Sequence, residues 1–269
     1  MRWLVFALVL CASLLLDGCS FSYEWVRHLM VERAVMRRDF DGATSILQKM
    51  VQADPDSSGA LWAAREGARI AHFESGNYLL AVEFYKHIIL RSTDADERKS
   101  AQKIIAQIQF ESLHNYDQAV IEYERLLTLD HQPEEAFHYR LNLAKSHLQL
   151  NNIDQALSEI EILIHLSNSA DEAFEANVLK ANTLIAAKRP LDAAPLWESI
   201  IKQFPERSRK ENIALNLVVV YEEMRDFSKA IEILERMRKD YPHPDFLDVR
   251  IQRLRERKMN QPGAQGLKR

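Results

Sequence analysis

The feature that most constrains this chain is an alanine that recurs six times at a nearly constant interval. The six residues are Ala43, Ala81, Ala119, Ala156, Ala193 and Ala230. The successive intervals are 38, 38, 37, 37 and 37 residues. Periods of this order are typical of arrays in which each copy is one supersecondary unit that stacks on the next. The spacing therefore predicts a repeat protein.

The residues around each alanine indicate that it lies on a helix. A bulky residue follows four positions later and an aliphatic residue or methionine seven positions later, as Tyr85 and Ile88 follow Ala81. Offsets of four and seven place side chains on one helix face. Four positions before the alanine stands Asp or Asn in every copy except that of Arg189, and these side chains accept hydrogen bonds from a helix start. Each copy is therefore expected to open a helix directly after a turn.

Other positions indicate that each copy is a helical hairpin. Proline stands twelve residues after the alanine in three copies, where it cannot continue a helix. The alanine itself suits a place where two helices approach closely, since a larger side chain would push them apart. Glycine occurs only 7 times in 269 residues, which leaves few of the residues that tight β-hairpins require. The sequence therefore predicts helices throughout.

This pattern resembles the tetratricopeptide repeat (TPR) family, whose second helix carries alanine, a bulky residue four later, and then proline. The closest match runs from Gly76 to Tyr85. The chain departs from the family in its period, which is three to four residues longer than the family's roughly 34. It also lacks the Leu-Gly pair of the first helix, and at that place the second copy has Ala68-Arg69.

The resemblance implies an all-α fold, a right-handed α-solenoid of about six TPR-like helix-turn-helix repeats with a C-terminal capping helix. We expect the repeats to span residues 23–242 and the capping helix residues 243–259. Residues 260–269 are expected to form a flexible tail.

The first residues differ from the repeats. After one cation, an apolar run of 14 residues extends from Trp3 to Leu16. This run is shorter than the roughly 20 residues that a spanning helix needs. A cation, a short apolar stretch and a small residue before a cleavage point are typical of a secretory signal peptide. Residues 1–18 are therefore predicted to be one.

The end of the apolar run resembles the lipobox of bacterial lipoproteins. Leu16 stands three residues before Cys19 and Gly18 stands directly before it, although Asp17 departs from the family pattern. The resemblance implies that Cys19 carries lipid, that residues 19–22 form a tether, and that the following serine directs the protein to the outer membrane. The other cysteine lies inside the apolar run and would be removed with it. The alternatives are a soluble secreted protein cut near this point and a buried structural cysteine.

Composition and motifs favour some function classes over others. The net charge is −4, whereas proteins that bind nucleic-acid backbones usually carry a basic excess. The sequence contains no HExxH, GxGxxG or Walker motif, and its histidines are scattered. We therefore expect no enzyme activity, metal, cofactor, small-molecule substrate or nucleic-acid partner.

A stacked array of helical hairpins offers a concave side on which a peptide or helix of another protein can lie. Counted from the alanines, the first helices are expected to present six residues there: Ile70, Phe73, Ile108, Lys145, Asn182 and Val219.

These features predict a membrane-anchored periplasmic scaffold that binds envelope proteins or peptide segments. The chain resembles the TPR lipoproteins of the outer-membrane barrel-assembly machine, and is similar in plan to the lipoproteins that pilot pilus secretins. Its membrane contact would be the N-terminal lipid. Two alternatives remain open at this point, a soluble or cytoplasmic TPR adaptor and an accessory subunit of an envelope enzyme.

Overall fold

A computed structural model describes residues 25–129 and 133–261. Within these two stretches every regular element is a helix. The predicted all-α fold class is therefore confirmed. The predicted signal peptide, the tether with Cys19, and residues 262–269 of the predicted tail lie outside the described residues.

The chain divides into two compact units, Met1–Asp130 and His131–Arg269. Unit 1 contains α1 (25–36), α2 (Phe40–Ala53), α3 (Ser58–Arg69), α4 (Tyr78–Arg91), α5 (Ala95–Gln107) and α6 (Tyr116–Leu129). From α2 to α6 each helix contacts the next. The unit is thus a stack of helical hairpins, with the apolar core between successive helices.

Unit 2 contains α7 (Pro133–Gln149), α8 (Ile153–Leu166), α9 (Ala170–Ala186), α10 (Pro190–Gln203), α11 (Pro205–Lys210), α12 (Ala214–Glu223), α13 (Phe227–Met237) and α14 (Pro244–Met259). The left-handed backbone of Asn212, with φ of 54°, separates α11 from α12. The first helix of this last repeat is therefore broken. Helix α14 packs on α13 and buries Leu247, Ile251 and Leu254.

The repeated residues form the helix-to-helix core in both units. All six alanines are fully buried, and the bulky residues four positions later are buried. The helix face predicted from offsets of four and seven is therefore confirmed. Burying apolar side chains stabilises each hairpin by roughly 25 cal/mol per Å² of apolar surface removed from water, which explains why these positions carry the repeat.

Most of the predicted helix caps form. The Asp39 carboxylate accepts a hydrogen bond from the Gly42 N–H at 2.9 Å, and the Asn77 amide oxygen accepts one from the Leu80 N–H at 3.2 Å. The same bond to the third residue on forms at Asn115 and Asp226. Asn152 occupies the corresponding place without a side-chain capping bond.

The two intervals of 38 residues have a structural cause, which is a π-helical turn in each. Helix α3 continues into the π-helix Ile70–Glu74, and α5 continues into Ile108–Ser112. The Ser75 N–H donates to the Ile70 carbonyl at 3.0 Å, the i to i+5 bond of a π-helix. Each π turn accommodates one additional residue inside the first helix. Any position counted backwards from Ala81 or Ala119 across that turn is therefore displaced by one residue.

The corrected count brings the first helices into agreement with one another. One small residue, almost fully buried, stands at the same place in all six: Val31, Ala68, Ala106, Ala144, Ala181 and Val218. In the second copy the place of the family's Leu-Gly pair is therefore Gly67-Ala68, and the assignment of Ala68-Arg69 was wrong by one residue.

A candidate protein-binding groove in unit 2

The π turns determine whether the predicted concave residues of unit 1 are buried or exposed. Ile70 and Ile108 are 0% and 1% exposed, so their prediction as surface residues is wrong. Both begin a π turn, and the constant offset from the alanine missed the additional residue. The corrected positions are Arg69 and Gln107, which are exposed. The interval of 38 rather than 37 residues signals that these two copies hold one additional residue, but only the structure shows that it lies within the first helix.

Phe73 is exposed as predicted, although its place in the repeat differs from that of the other five residues. Its side chain is 68% exposed and stacks on His72, with ring centroids 4.2 Å apart. It lies within the π turn, whereas the corrected surface position is Arg69.

The three predicted residues in unit 2 stand in first helices that have no π turn, and none of them is buried. Asn182 on α9 is exposed, Val219 on α12 is 39% exposed, and Lys145 on α7 is partly exposed. The Lys145 ammonium lies 3.4 Å from the Glu175 carboxylate of α9. This ion pair connects the predicted face to a groove that the sequence analysis did not identify.

The groove lies along the amino-terminal parts of α7, α9 and α11 and has a volume of about 970 Å³. Each of these helices begins the first-helix segment of its repeat. The lining residues are Glu135, Phe137, His138, Asp171, Glu172, Glu175, Glu206, Arg207, Lys210 and Glu211. Six of the ten are carboxylates and two are permanent cations, so the groove is acidic.

Arg207 is held in place within the groove. Its guanidinium donates to the Asp171 carboxylate at 2.5 Å and to the Glu211 carboxylate at 2.8 Å. It also lies 4.2 Å above the centroid of the buried Phe174 ring. The bond to Glu211, followed by the charge of that group and of Asp171, raises the pKa of Arg207 above its ordinary value. Arg207 is therefore committed to contacts within the protein.

The carboxylates differ in what explains their presence. Asp171, Glu172 and Glu206 lie in the first turns of their helices, where negative charge stabilises the helix dipole. Glu172 also supports the start of α9, because its carboxylate accepts from the Asn168 N–H at 2.7 Å while the N-cap Ser169 accepts from the Glu172 N–H at 3.1 Å. Glu175 lies beyond the first turn, so the helix dipole does not explain its charge. Its carboxylate pairs with Lys145 of α7.

Ser208 and Glu211 have the spacing of a capping box, but they do not form one. Ser208 lies inside α11 and is buried, and its hydroxyl donates to the Ile200 carbonyl at 3.4 Å. The first helix of this repeat starts at Pro205, three residues before Ser208.

In the part of the chain that the structure describes, no group of three or more His, Cys, Asp or Glu residues is arranged to hold a metal ion. Within the same residues, no helix combines the length and the apolar character that crossing a bilayer requires.

Comparisons with known proteins agree with this architecture. Two tetratricopeptide repeat models match residues 141–209 and 184–257. A tetratricopeptide repeat protein from Parabacteroides merdae is 14% identical, with a TM-score of 0.51, over 87% of this chain and 88% of that chain. YrrB, described as a TPR protein with an unusual peptide-binding site, is 15% identical, with a TM-score of 0.51, over 77% of this chain and 97% of that one. No curated protein matches the sequence. Residues 141–257 therefore match tetratricopeptide repeat models, and the described chain has the fold of TPR proteins.

Proposed function

We propose that this chain is a membrane-anchored periplasmic scaffold that holds a segment of a partner protein in the acidic groove of unit 2. TPR proteins are scaffolds for protein-protein interaction. The observation that carries the proposal is the position of the groove on α7, α9 and α11, because a protein segment lying across three successive first helices would contact three repeats at once.

The charge of the groove favours a partner segment rich in lysine or arginine. The groove carboxylates already make exposed ion pairs, such as Glu206 with Arg209 at 3.2 Å and Glu175 with Lys145 at 3.4 Å. Exposed ion pairs contribute only about 0–1 kcal/mol each. A basic segment can therefore replace these partners at small cost, and complementary charge speeds the encounter.

The anchor is proposed from the sequence. The lipobox-like residues Leu16 to Cys19 support lipidation of Cys19, export and a place at the outer membrane. Such a scaffold would serve an envelope complex of the kind that the similar lipoproteins serve. These are the outer-membrane barrel-assembly machine and the pilus secretins. A soluble or cytoplasmic adaptor, or an accessory subunit of an envelope enzyme, is the alternative.

Crosslinking in cells tests the groove. A photoreactive amino acid at Asp171, which lines the groove, should crosslink a partner segment of net positive charge. The same amino acid at Asp154, an exposed carboxylate on the second helix α8, is the matched control and should not capture that segment. Identical products from both positions would contradict a binding role for the groove.

Fatty-acid labelling tests the anchor independently. The wild type should incorporate a fatty-acid probe, and Cys19→Ala should not incorporate it and should lose its membrane fraction. If neither protein incorporates the probe and both fractionate alike, the proposed lipid anchor is wrong. The proposed groove is not affected by that result and is tested by the crosslinking.

A further inference from the structure

One side of the first helix carries an apolar surface that the rest of unit 1 leaves exposed. On α1, Trp25 is 62% exposed, Met30 53% and Met36 81%, and Val26 is also exposed. Trp25 and Met36 are eleven residues apart and Val26 and Met30 are four apart. Since an α-helix has 3.6 residues per turn, these offsets place the four side chains on one broad side. We call it the outer side of α1.

The opposite side of α1 is the one that packs into unit 1. Val31 is buried, and Val35 packs against the same core. The ring centroids of His28 and of Trp62 on α3 lie 3.7 Å apart. The helix is therefore held by its inner side. Its outer side is not needed for the hairpin stack, and exposed apolar groups of this size commonly mark a contact with a membrane or another molecule.

The outer side also carries positive charge. Arg33 and Arg37 stand seven residues after Val26 and Met30 respectively, so they share this side, and both are exposed. Neither pairs with a carboxylate in the part of the chain that the structure describes. Glu32 lies at the margin of the same side. Apolar and aromatic groups interleaved with arginine are typical of helices that lie in the interface of a membrane.

The position of α1 in the chain selects the membrane as the occupant. Only five residues separate Cys19 from Trp25, and an extended chain covers at most roughly 3.5 Å per residue, or about 20 Å in total. With lipid on Cys19, the start of α1 is held within this distance of the headgroups. Tryptophan favours that layer, and an anionic surface attracts basic residues that lie near it.

We infer that the outer side of α1 lies flat on a bilayer surface containing anionic phospholipid, with Trp25, Val26 and Met30 among the headgroups and Arg33 and Arg37 against lipid phosphates. The inference rests on the membrane anchor of the proposed function and adds a second contact to it. The lipid holds the chain at the membrane, and the α1 contact fixes how unit 1 stands on it.

Tryptophan quenching tests this contact in the full chain. The protein is placed in vesicles of phosphatidylethanolamine and phosphatidylglycerol that carry bromine on the acyl chains close to the headgroup. The emission attributable to Trp25 is the difference between the wild type and Trp25→Phe. We expect that emission to be quenched at least twofold relative to vesicles of ordinary lipid.

A charge reversal at Arg33→Glu with Arg37→Glu should abolish most of the quenching. The matched control is Lys49→Glu with Lys86→Glu, exposed lysines on α2 and α4 that change the net charge equally. This control should quench like the wild type. Equal loss in both double variants would show general charge attraction and overturn the inference.

Acylation is measured on the same samples, so the two proposals fail separately. A lipidated protein whose Trp25 emission is unquenched refutes the α1 contact and leaves the anchor intact. If Trp25 is instead shielded by association between copies, seen as concentration-dependent dimers without quenching, the inference is also overturned. Quenching without any acylation refutes the lipid anchor alone.

Discussion

The Phe84 ring of α4 occupies the space that a side chain on Gly67 of α3 would need. A Cβ built on Gly67 would lie 2.5 Å from the Phe84 Cζ atom and within 2.7 Å of two further ring atoms. Real Cβ atoms do not approach other heavy atoms so closely. The first and second helices of this repeat therefore touch through a glycine and an aromatic ring, next to the small residue that all six first helices share.

This contact predicts the effect of adding one methyl group. Gly67→Ala should lower the free energy of unfolding by about 1–3 kcal/mol, because the ring of Phe84 must shift in a packed core. Chemical denaturation measures the change. In a double-mutant cycle, Phe84→Leu should recover part of the loss, and strict additivity of the two substitutions would show that the contact is not responsible.

The π turn of α3 predicts an unusual tolerance to deletion. Removing Phe73 lets the Ser75 N–H bond the Ile70 carbonyl as an ordinary α-helical i to i+4 pair, so the buried residues before and after it keep their places. We expect a change in melting temperature of less than roughly 4 °C, or about 1 kcal/mol for a chain of this size.

Removing Ala186 from α9 is the matched control. It stands four residues after Asn182, as Phe73 stands four after Arg69, but α9 has no π turn to absorb the loss. Its deletion should lower the melting temperature substantially more than deletion of Phe73. Equal melting of the two variants would mean that the π turn does not hold the additional residue.

Two histidines of unit 1 predict how stability depends on pH. Burial lowers the pKa of His72 below its ordinary 6.5, and burial with the nearby Arg91 lowers that of His87. The unfolded chain therefore binds protons more readily than the folded one. The stability contributed by the neutral rings is present above pH 6.5 and is lost as the pH falls through the lower folded values.

Thermal melts between pH 7.5 and 5, roughly the range over which histidine titrates, check this expectation. The melting temperature of the wild type should fall more steeply on acidification than that of His72→Gln with His87→Gln. Parallel curves for the two proteins would show that other groups control the acid sensitivity.

The acidic groove predicts a selective loss of binding on charge reversal. Glu175→Lys with Glu206→Lys should weaken binding of the partner segment identified by crosslinking about tenfold. This corresponds to a loss of roughly 1.4 kcal/mol of binding free energy over two exposed charge pairs. Isothermal titration measures it. The control Glu223→Lys with Glu232→Lys makes the same charge change at exposed sites of α12 and α13. A similar loss of affinity in the control would show that net charge, and not the groove, controls binding.

The sequence by itself determined the helices and their hairpin repeat. Buried alanines, the residues four positions later and caps such as Asp39 and Asn77 depend on local geometry, in which side chains a fixed number of residues apart share a helix face. One additional residue in a first helix does not change the spacing around the alanine of the second helix, so the pattern stays visible in every copy. The all-α repeat fold was therefore predictable.

Only the tertiary structure decided which residues of the first helices reach the surface. An interval of 38 residues shows that one residue has been added, but a turn or a helix can hold it, and the sequence pattern does not choose between them. The structure places it in a π turn, which buries Ile70 and Ile108 and exposes Arg69 and Gln107. The acidic groove likewise arises because packing brings the starts of α7, α9 and α11 together, and charges more than thirty residues apart in sequence become one surface only through that packing.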